Sequence, residues 1–336
     1  MRLLVTGGAG FIGSNFIRYW LKKYGEDEIF NLDLLTYAGN LENLAGLDDA
    51  YALRYGFTLG SITDTDFVDR LFSQFKPDVI VNFAAESHNS RAILNPTIFF
   101  QTNLIGTQTL LDVAQKHEIS RFHHVSTCEI YGDLPLNSAE TFSEQTSYRP
   151  NTPYSASKAG ADLAVLAYHQ TFGLPVTISV CCNNYGPYQN IEKLIPLFIS
   201  KAICNQPLTL YKSSQNKREW LAVEDHCRAI DLIIRQGKSG ERYNVGSQTE
   251  KSVEEIADSI LQILGKPQSL KTYVPDRPGH DRRYLLDSRK IQQELGWKLE
   301  TDFETGLKNT VGWYINHRQW WQQSQSSQIR EDRWGK

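Results

Sequence analysis

The sequence predicts an α/β protein: a doubly wound parallel sheet with a smaller C-terminal domain interleaved with it. Three observations predict it. Short β-branched runs alternate with helical patterns through the first half of the chain, and such alternation requires parallel strands joined by crossover helices. The run Val79-Ile80-Val81-Asn82-Phe83-Ala84 is apolar almost without break, as a strand covered on both faces must be. A glycine triplet directly follows the first strand and opens the first helix, which is the layout of a phosphate-binding turn.

In chain order, strands are expected over Leu3–Thr6, Ile29–Asp33, Val79–Ala84, Phe122–Ser126 and Val176–Cys181, with helices over Phe11–Tyr24, Asp64–Phe75, Thr102–His117 and Ser155–Phe172. In Gly7-x-x-Gly10-x-x-Gly13 the first glycine permits the tight turn. The second lets backbone N–H groups approach a pyrophosphate, and the third lets the helix pack close to the strand. Asp33 falls twenty residues after Gly13, at the end of the second strand. A carboxylate there accepts hydrogen bonds from ribose hydroxyls and repels a 2′-phosphate, so the expected cofactor is NAD and the sheet is of Rossmann type.

The pattern changes after Asn183. Asn184-Tyr185-Gly186-Pro187-Tyr188 reads as a loop, Lys193–Cys204 and Asp225–Arg235 as helices, and Leu208–Tyr211 and Tyr243–Gly246 as strands. The expected division is a Rossmann domain over 1–182 with returning segments at about 223–247. A substrate-binding domain then takes 183–222 and 248–322, and 323–336 form a polar tail.

Formal net charge is −3 with no long run of one sign, which argues against nucleic-acid or acidic-lipid partners. No apolar run is long enough to span a bilayer, and the chain enters directly into a strand, so neither a membrane span nor a signal peptide is expected. Five cysteines, an odd number with no CxxC pair, favour reduced thiols in the cytoplasm over a disulfide framework or a metal site.

The chemistry concentrates in two segments, Ser126-Thr127-Cys128-Glu129-Ile130-Tyr131-Gly132 and Tyr154-Ser155-Ala156-Ser157-Lys158. Tyr and Lys four residues apart lie on one helix face. An ammonium beside a phenol favours the phenolate, so Lys158 is expected to lower the Tyr154 pKa and fit Tyr154 to take a proton from a sugar hydroxyl. Thr127 adds a hydroxyl, Glu129 a carboxylate and Cys128 a thiol.

Together the glycine turn, Thr127 and Tyr154-x-x-x-Lys158 resemble the extended short-chain dehydrogenase/reductase superfamily of nucleotide-sugar enzymes. A narrower likeness is carried by Asp33-x-Leu35-Thr36-Tyr37-Ala38-Gly39-Asn40, Ala84-Ala85-Glu86-Ser87-His88, Asn183-Asn184-Tyr185-Gly186-Pro187-Tyr188, Glu192-Lys193-Leu194-Ile195-Pro196 and Asp276-Arg277-x-Gly279-His280-Asp281-Arg282-Arg283-Tyr284. These segments are similar to those of the dTDP-glucose 4,6-dehydratase family, from Leu3 to about Trp313.

The resemblance implies a three-step reaction on bound NAD. Tyr154 removes the 4-hydroxyl proton as hydride leaves C4, Glu129 removes the C5 proton while the C6 hydroxyl departs as water, and hydride returns to C6. Lys158 would tune Tyr154 and bind the nicotinamide ribose, and Thr127 would hydrogen-bond the 4-oxygen. Gly7, Gly10, Phe11, Ile12, Gly13, Asp33, Thr36, Ser61, Ile62, Ala84, Ala85, Ser87 and Asn103, with Tyr154 and Lys158, would hold the cofactor. Glu86, His88, Arg91, Asn184, Glu192, Lys193, Leu194, Arg218 and Arg283 would hold the nucleotide sugar, the two arginines on its diphosphate.

The chain departs from the family in places. Cys128 stands where the family has the aspartate that protonates the leaving hydroxyl. Ser90 and Ser61 also replace aspartates, Glu219 replaces the aspartate of Arg-Asp-Trp, Lys212-Ser213-Ser214 replaces a Gly-x-Gly turn, and Ala222 replaces an aromatic residue. A thiol is protonated at neutral pH but donates weakly. Three readings therefore stand at this point: dehydration with Cys128 or another group as acid, epimerisation through a transient 4-ketone, and a sugar-nucleotide-binding homologue with little turnover. A homodimer is expected, through the helices at Thr102–His117 and Ser155–Phe172.

Overall fold

A computed structural model describes residues 1–276 and 281–323. Seven strands form a wholly parallel sheet. In chain order they are β1 (Arg2–Thr6), β2 (Glu28–Asp33), β3 (Tyr55–Leu59), β4 (Val79–Asn82), β5 (Arg121–Thr127), β6 (Val176–Cys181) and, after three strands outside this sheet, β10 (Glu241–Val245). Their spatial order is β10-β6-β5-β4-β1-β2-β3. The chain crosses over between β1 and β4, which opens a crevice at the carboxyl ends of the strands where ligands bind in such sheets.

Helices cover both faces: α1 (Phe11–Lys23), the single turn α2 (Leu47–Ala50), α3 (Thr65–Phe75), α4 (Asn89–Leu94), α5 (Pro96–Phe99), α6 (Gly106–Lys116) and α7 (Pro153–Phe172). The strongly apolar α7 has a capping box. Thr152 accepts from the Ser155 N–H while the Ser155 hydroxyl accepts from the Thr152 N–H, Pro153 fills the first turn, and Gly173 at φ +72° ends the helix. The start of α7 is therefore fixed one residue before Tyr154.

Three sequence expectations are corrected. The helix expected over Thr102–His117 is α6 preceded by a π-helical turn, Phe100–Ile105. The wide turn accompanies an inward Asn103, whose amide bonds both backbone groups of Glu86 and the Ser157 hydroxyl. The strand expected to reach Ala84 stops at Asn82, and Phe83–Ser87 line the crevice instead. Asn184 and Tyr185, expected to open a loop, belong to β7 (Asn183–Tyr185), which pairs with β9 (Lys217–Ala222).

A second apolar core lies beyond β6, built from Tyr185, Phe198, Trp220, Ile256, Ile260, Tyr314 and Trp321. Helix α8 (Leu194–Ile203) and β8 (Leu208–Tyr211) precede β9; α9 (Val223–Gln236) and β10 return to the first sheet. Strand β11 (Glu250–Ser252), α10 (Val253–Ile263), β12 (Lys271–Val274), α11 (Arg289–Leu295), α12 (Phe303–Asn316) and α13 (Arg318–Gln323) follow. β7, β9 and β11 form one small sheet and β8 with β12 another. No described helix is long and apolar enough to cross a membrane, and no described cluster of His, Cys, Asp and Glu could hold a metal ion. Arg277, Gly279 and His280 of the quoted motif, and the tail from 324 onward, lie outside the described residues.

Candidate active site

The cleft begins at the glycine turn. Gly7 has φ +72°, and a Cβ there would lie 2.6 Å from the Ala84 backbone nitrogen; a Cβ on Gly13 would lie 2.4 Å from the Gly7 carbonyl. Gly10 is the N-cap of α1 and has no side chain to cap it. The first-turn N–H groups of the helix therefore face the cleft without a side-chain partner from the cap. Asp33 accepts from the Ala9 N–H (2.9 Å) through Oδ2 and from the Leu35 N–H (2.8 Å) through Oδ1. Burial raises its pKa, and these backbone donors oppose the shift. Gly7, Gly10, Phe11, Ile12, Gly13, Asp33, Thr36, Ser61, Ile62, Ala84, Ala85 and Ser87 all line this end. No described side chain fills the cradle over the turn, so these residues fit a dinucleotide. Asn103 is the exception among the expected cofactor residues: it is buried behind the lining, tying Glu86 to α7.

The other end of the cleft holds Thr127, Glu129, Tyr154 and Lys158. β5 delivers Thr127, and a short 3₁₀ turn, Cys128–Tyr131, turns Glu129 outward. Tyr154 lies beside Thr127, which favours its phenolate, and packs edge-on against Phe99 at 6.4 Å. Glu129 Oε2 accepts from Asn89 Nδ2 (3.0 Å), and Asn89 Oδ1 accepts from the Thr152 hydroxyl (2.9 Å). Lys158 Nζ donates to the Val125 carbonyl (2.8 Å) and lies 3.1 Å from His124 Nε2.

The electrostatics correct one expectation. The Tyr154 pKa is raised well above that of a free phenol, by burial first and by the negative charge of Glu129 second, not lowered. Lys158 is turned to Val125 and His124, and burial lowers its own pKa to about 8. Cys128 is 1 % exposed, packs in the core with Ile130 and Tyr131, and is absent from the cleft lining. Burial, with Glu129 next, raises its pKa well above the thiol range, so Cys128 is a neutral thiol.

Beside the cleft, Glu86, Asn184, Lys193 and Leu194 reach the lining. Glu86 is hydrogen-bonded to Thr36 and its pKa is raised by burial. Lys193 Nζ donates to the Ser87 carbonyl (2.9 Å). Asn184 Oδ1 accepts from His226 Nδ1 (2.9 Å). His88, Arg91 and Glu192 cluster behind the lining, with His88 Nε2 3.7 Å and Arg91 Nε 3.9 Å from Glu192 Oε2, and the Arg91 guanidinium over the Tyr37 ring.

The two arginines expected at the diphosphate are not brought to the cleft lining. Arg218 donates to the carbonyls of Lys217, Asp281 and Arg282 and sits over the Tyr284 ring. Arg283 is paired with Glu250 (Nε–Oε1 2.6 Å, Nη2–Oε2 2.9 Å) and bonds the Glu140 carbonyl. Both forks are spent on holding loops together.

Sequence reasoning missed Asn89, which orients Glu129, and Cys181, Cys182 and Trp220 in the lining. The signal for Asn89 was its place between Glu86-x-His88 and Arg91, inside a motif already singled out. Cys181 ends β6 and was read only as the end of a strand.

The GDP-mannose 4,6 dehydratase family model matches residues 4–310. A dTDP-glucose 4,6-dehydratase of Salmonella typhimurium is 46% identical over 343 residues, covering 95% of this chain and 94% of that protein. Among solved structures, DesIV, a dTDP-glucose 4,6-dehydratase from Streptomyces venezuelae with NAD and TYD bound, superposes with a TM-score of 0.93 at 46% identity, covering 97% of this chain and 100% of that one. The dTDP-glucose 4,6-dehydratase of Bacillus anthracis in complex with NAD gives a TM-score of 0.90 at 43% identity, with the same coverage.

Proposed function

Because the chain belongs to the dTDP-glucose 4,6-dehydratase family of NAD-dependent epimerases and dehydratases, we propose that it is a hydro-lyase converting dTDP-glucose to dTDP-4-keto-6-deoxyglucose. The observation that carries this reading is one cleft in which Thr127, Glu129, Tyr154 and Lys158 face the glycine turn and Asp33. The glycine turn, Asp33 and Lys158 would hold NAD, which when bound would supply a hydride acceptor for C4, a hydride donor for C6 and a positive charge that favours the Tyr154 phenolate.

Tyr154 takes the 4-hydroxyl proton, and Thr127, beside it in the cleft, shares the charge that develops on the 4-oxygen. The ketone acidifies C5, and Glu129, oriented by Asn89, removes that proton. Loss of water from C6 then needs an acid. Cys128 is secluded from the cleft, whereas Glu129 faces it carrying the proton just taken from C5. Glu129 therefore serves as base and then as acid, and the replacement at Cys128 does not force epimerisation.

Incubation with dTDP-glucose in deuterated water tests this. A 4-keto-6-deoxy product labelled at C5 is the expected result. An inverted sugar without loss of water would establish the epimerase instead, and the absence of label, inversion and ketone would leave only binding.

The partner is a second copy of the chain. Leu94, Ile98, Phe100 and Ile105 on the α4–α6 segment and Leu163 on α7 are large apolar side chains, each 39–58% exposed, on helical segments that pack together; such a patch on a monomer is a mark of association. Light scattering should give twice the chain mass, and a monomer would refute the assignment. Five free thiols, four of them buried, suit the reducing cytoplasm.

A further inference from the structure

Two buried polar residues behind the cleft, His124 and Asp162, meet Lys158 from its lining and have no part in the reaction just described. His124 and Asp162 are 0% exposed and Lys158 3%. Asp162 follows Lys158 by one helical turn, so the two share a face of α7. Asp162 Oδ2 accepts from the Ser126 hydroxyl (2.8 Å) and the Tyr148 hydroxyl (3.0 Å). Its Oδ1 makes no hydrogen bond among the described residues and faces His124 Nε2 at 3.5 Å.

The tautomer of His124 follows from its neighbours. The Thr107 hydroxyl donates to the Asn103 carbonyl (2.7 Å), which can only accept. Its oxygen must then accept from Asn82, which places Asn82 Nδ2 on that side (3.1 Å). The same Nδ2 lies 3.2 Å from His124 Nδ1, so Nδ1 accepts and the imidazole proton sits on Nε2. That N–H points between Asp162 Oδ1 and Lys158 Nζ, which is also held by the Val125 carbonyl. An N–H edge opposes the ammonium form of the lysine and the carboxylate beside it supports that form.

We propose that His124 and Asp162 are positioning residues for Tyr154: acting in opposite senses on Lys158, they set how firmly it keeps the proton whose charge supports the phenolate. The proposal rests on the reading of Tyr154 as the base. The titratable and charged groups facing the trio are His123 and Ser126 from β5, Cys181 from β6, Arg242 from β10, and Tyr148. Asp162 is the acid among them that favours the charged lysine, and burial is the main opposing effect.

The sign follows. Without the Asp162 charge, Lys158 loses its proton at lower pH, the phenolate loses its cation, and Tyr154 titrates higher. In the holoenzyme acting on dTDP-glucose, Asp162→Asn should move the acid limb of kcat to higher pH by about one unit, about tenfold in rate on that limb, with KM unchanged because neither residue lines the cleft. His124→Gln, which keeps an N–H near the ε position, should retain the wild-type limb, and His124→Phe, which removes the N–H edge that opposes the ammonium, should shift it the other way, to lower pH. Tyr148→Phe removes one donor from Asp162, weakens it as an anion, and should shift the limb the same way as Asp162→Asn, by less.

An unmoved limb in Asp162→Asn and His124→Phe, whether or not kcat falls, overturns the proposal. Should either variant fail to fold, Tyr148→Phe decides, and an unmoved limb there overturns it equally. If Tyr154→Phe keeps its turnover, the reading of Tyr154 fails instead, and the two failures are told apart.

Discussion

Tyr154→Phe is expected to lower kcat by about 10²–10⁴-fold, the usual worth of a positioned proton-transfer group, while leaving the melting curve in place. The ring packs against Phe99 with or without its hydroxyl, and the hydroxyl lies in the cleft beside Thr127. Removing it therefore removes chemistry and little structure. The comparison that gives the result its meaning is Cys128→Ala. A neutral thiol in the core beside Ile130 and Tyr131 gives no proton to the cleft, so kcat should stay within about threefold, with about 1 kcal/mol of stability lost to the small void. Steady-state kinetics with circular dichroism melts on both variants decide it. A Cys128→Ala deficit as deep as that of Tyr154→Phe would make the thiol the acid after all and would remove the second role from Glu129.

The second large effect belongs to Gly7. Its φ is +72°, and an added Cβ would meet the Ala84 and Phe83 backbones at 2.6–2.8 Å. Neither is the movable end of a side chain. A left-handed alanine and a backbone clash each cost on the order of 1–3 kcal/mol, so Gly7→Ala should destabilise by about 3 kcal/mol. Ala84 lines the cleft directly opposite, so the same displacement should weaken NAD binding. Gly46 has φ +78° with nothing near its Cβ position, and Gly46→Ala isolates the backbone cost. Urea midpoints measured side by side check both; a Gly7→Ala midpoint no lower than that of Gly46→Ala would mean that the close approach at Ala84 carries no energy.

The parallel sheet was legible because its central strands are buried on both faces, and β1 and β4 carry their apolar residues in runs. β3 was not. It is an edge strand, Tyr55-Gly56-Phe57-Thr58-Leu59, with only Tyr55 buried, and its glycine lies where a Cβ would meet the Phe30 ring at 2.8 Å. A glycine used to admit a neighbouring ring reads in sequence as a break. β7 was hidden for a related reason: Asn183-Asn184-Tyr185 runs into Gly186-Pro187, and strong turn chemistry masks a three-residue strand whose partner is more than thirty residues away.

In the site, residue types with local spacing were legible, as with Tyr154 and Lys158 on one turn of α7. What spacing cannot convey is where a long side chain spends its charge. Arg283 carries a phosphate-binding fork and gives it to Glu250, and Lys158 meets His124 from a strand more than thirty residues earlier. The sign of the Tyr154 shift was lost for the same reason, since burial is a property of the assembled layers and outweighs a neighbour on the same helix.

The return of β10 to the sheet bears on how the chain must be made. β6 is buried along its whole length, and its outer edge stays bare until Glu241–Val245 arrive to pair with it. On the ribosome the nucleotide-binding sheet therefore waits, with an adhesive edge open, until the segments of the second core have been synthesised. Exposed strand edges of this kind invite pairing between nascent chains. A fragment cut after Cys181 would keep every glycine of the phosphate turn and still lack its final strand, so the half that binds the dinucleotide is not a transferable cassette.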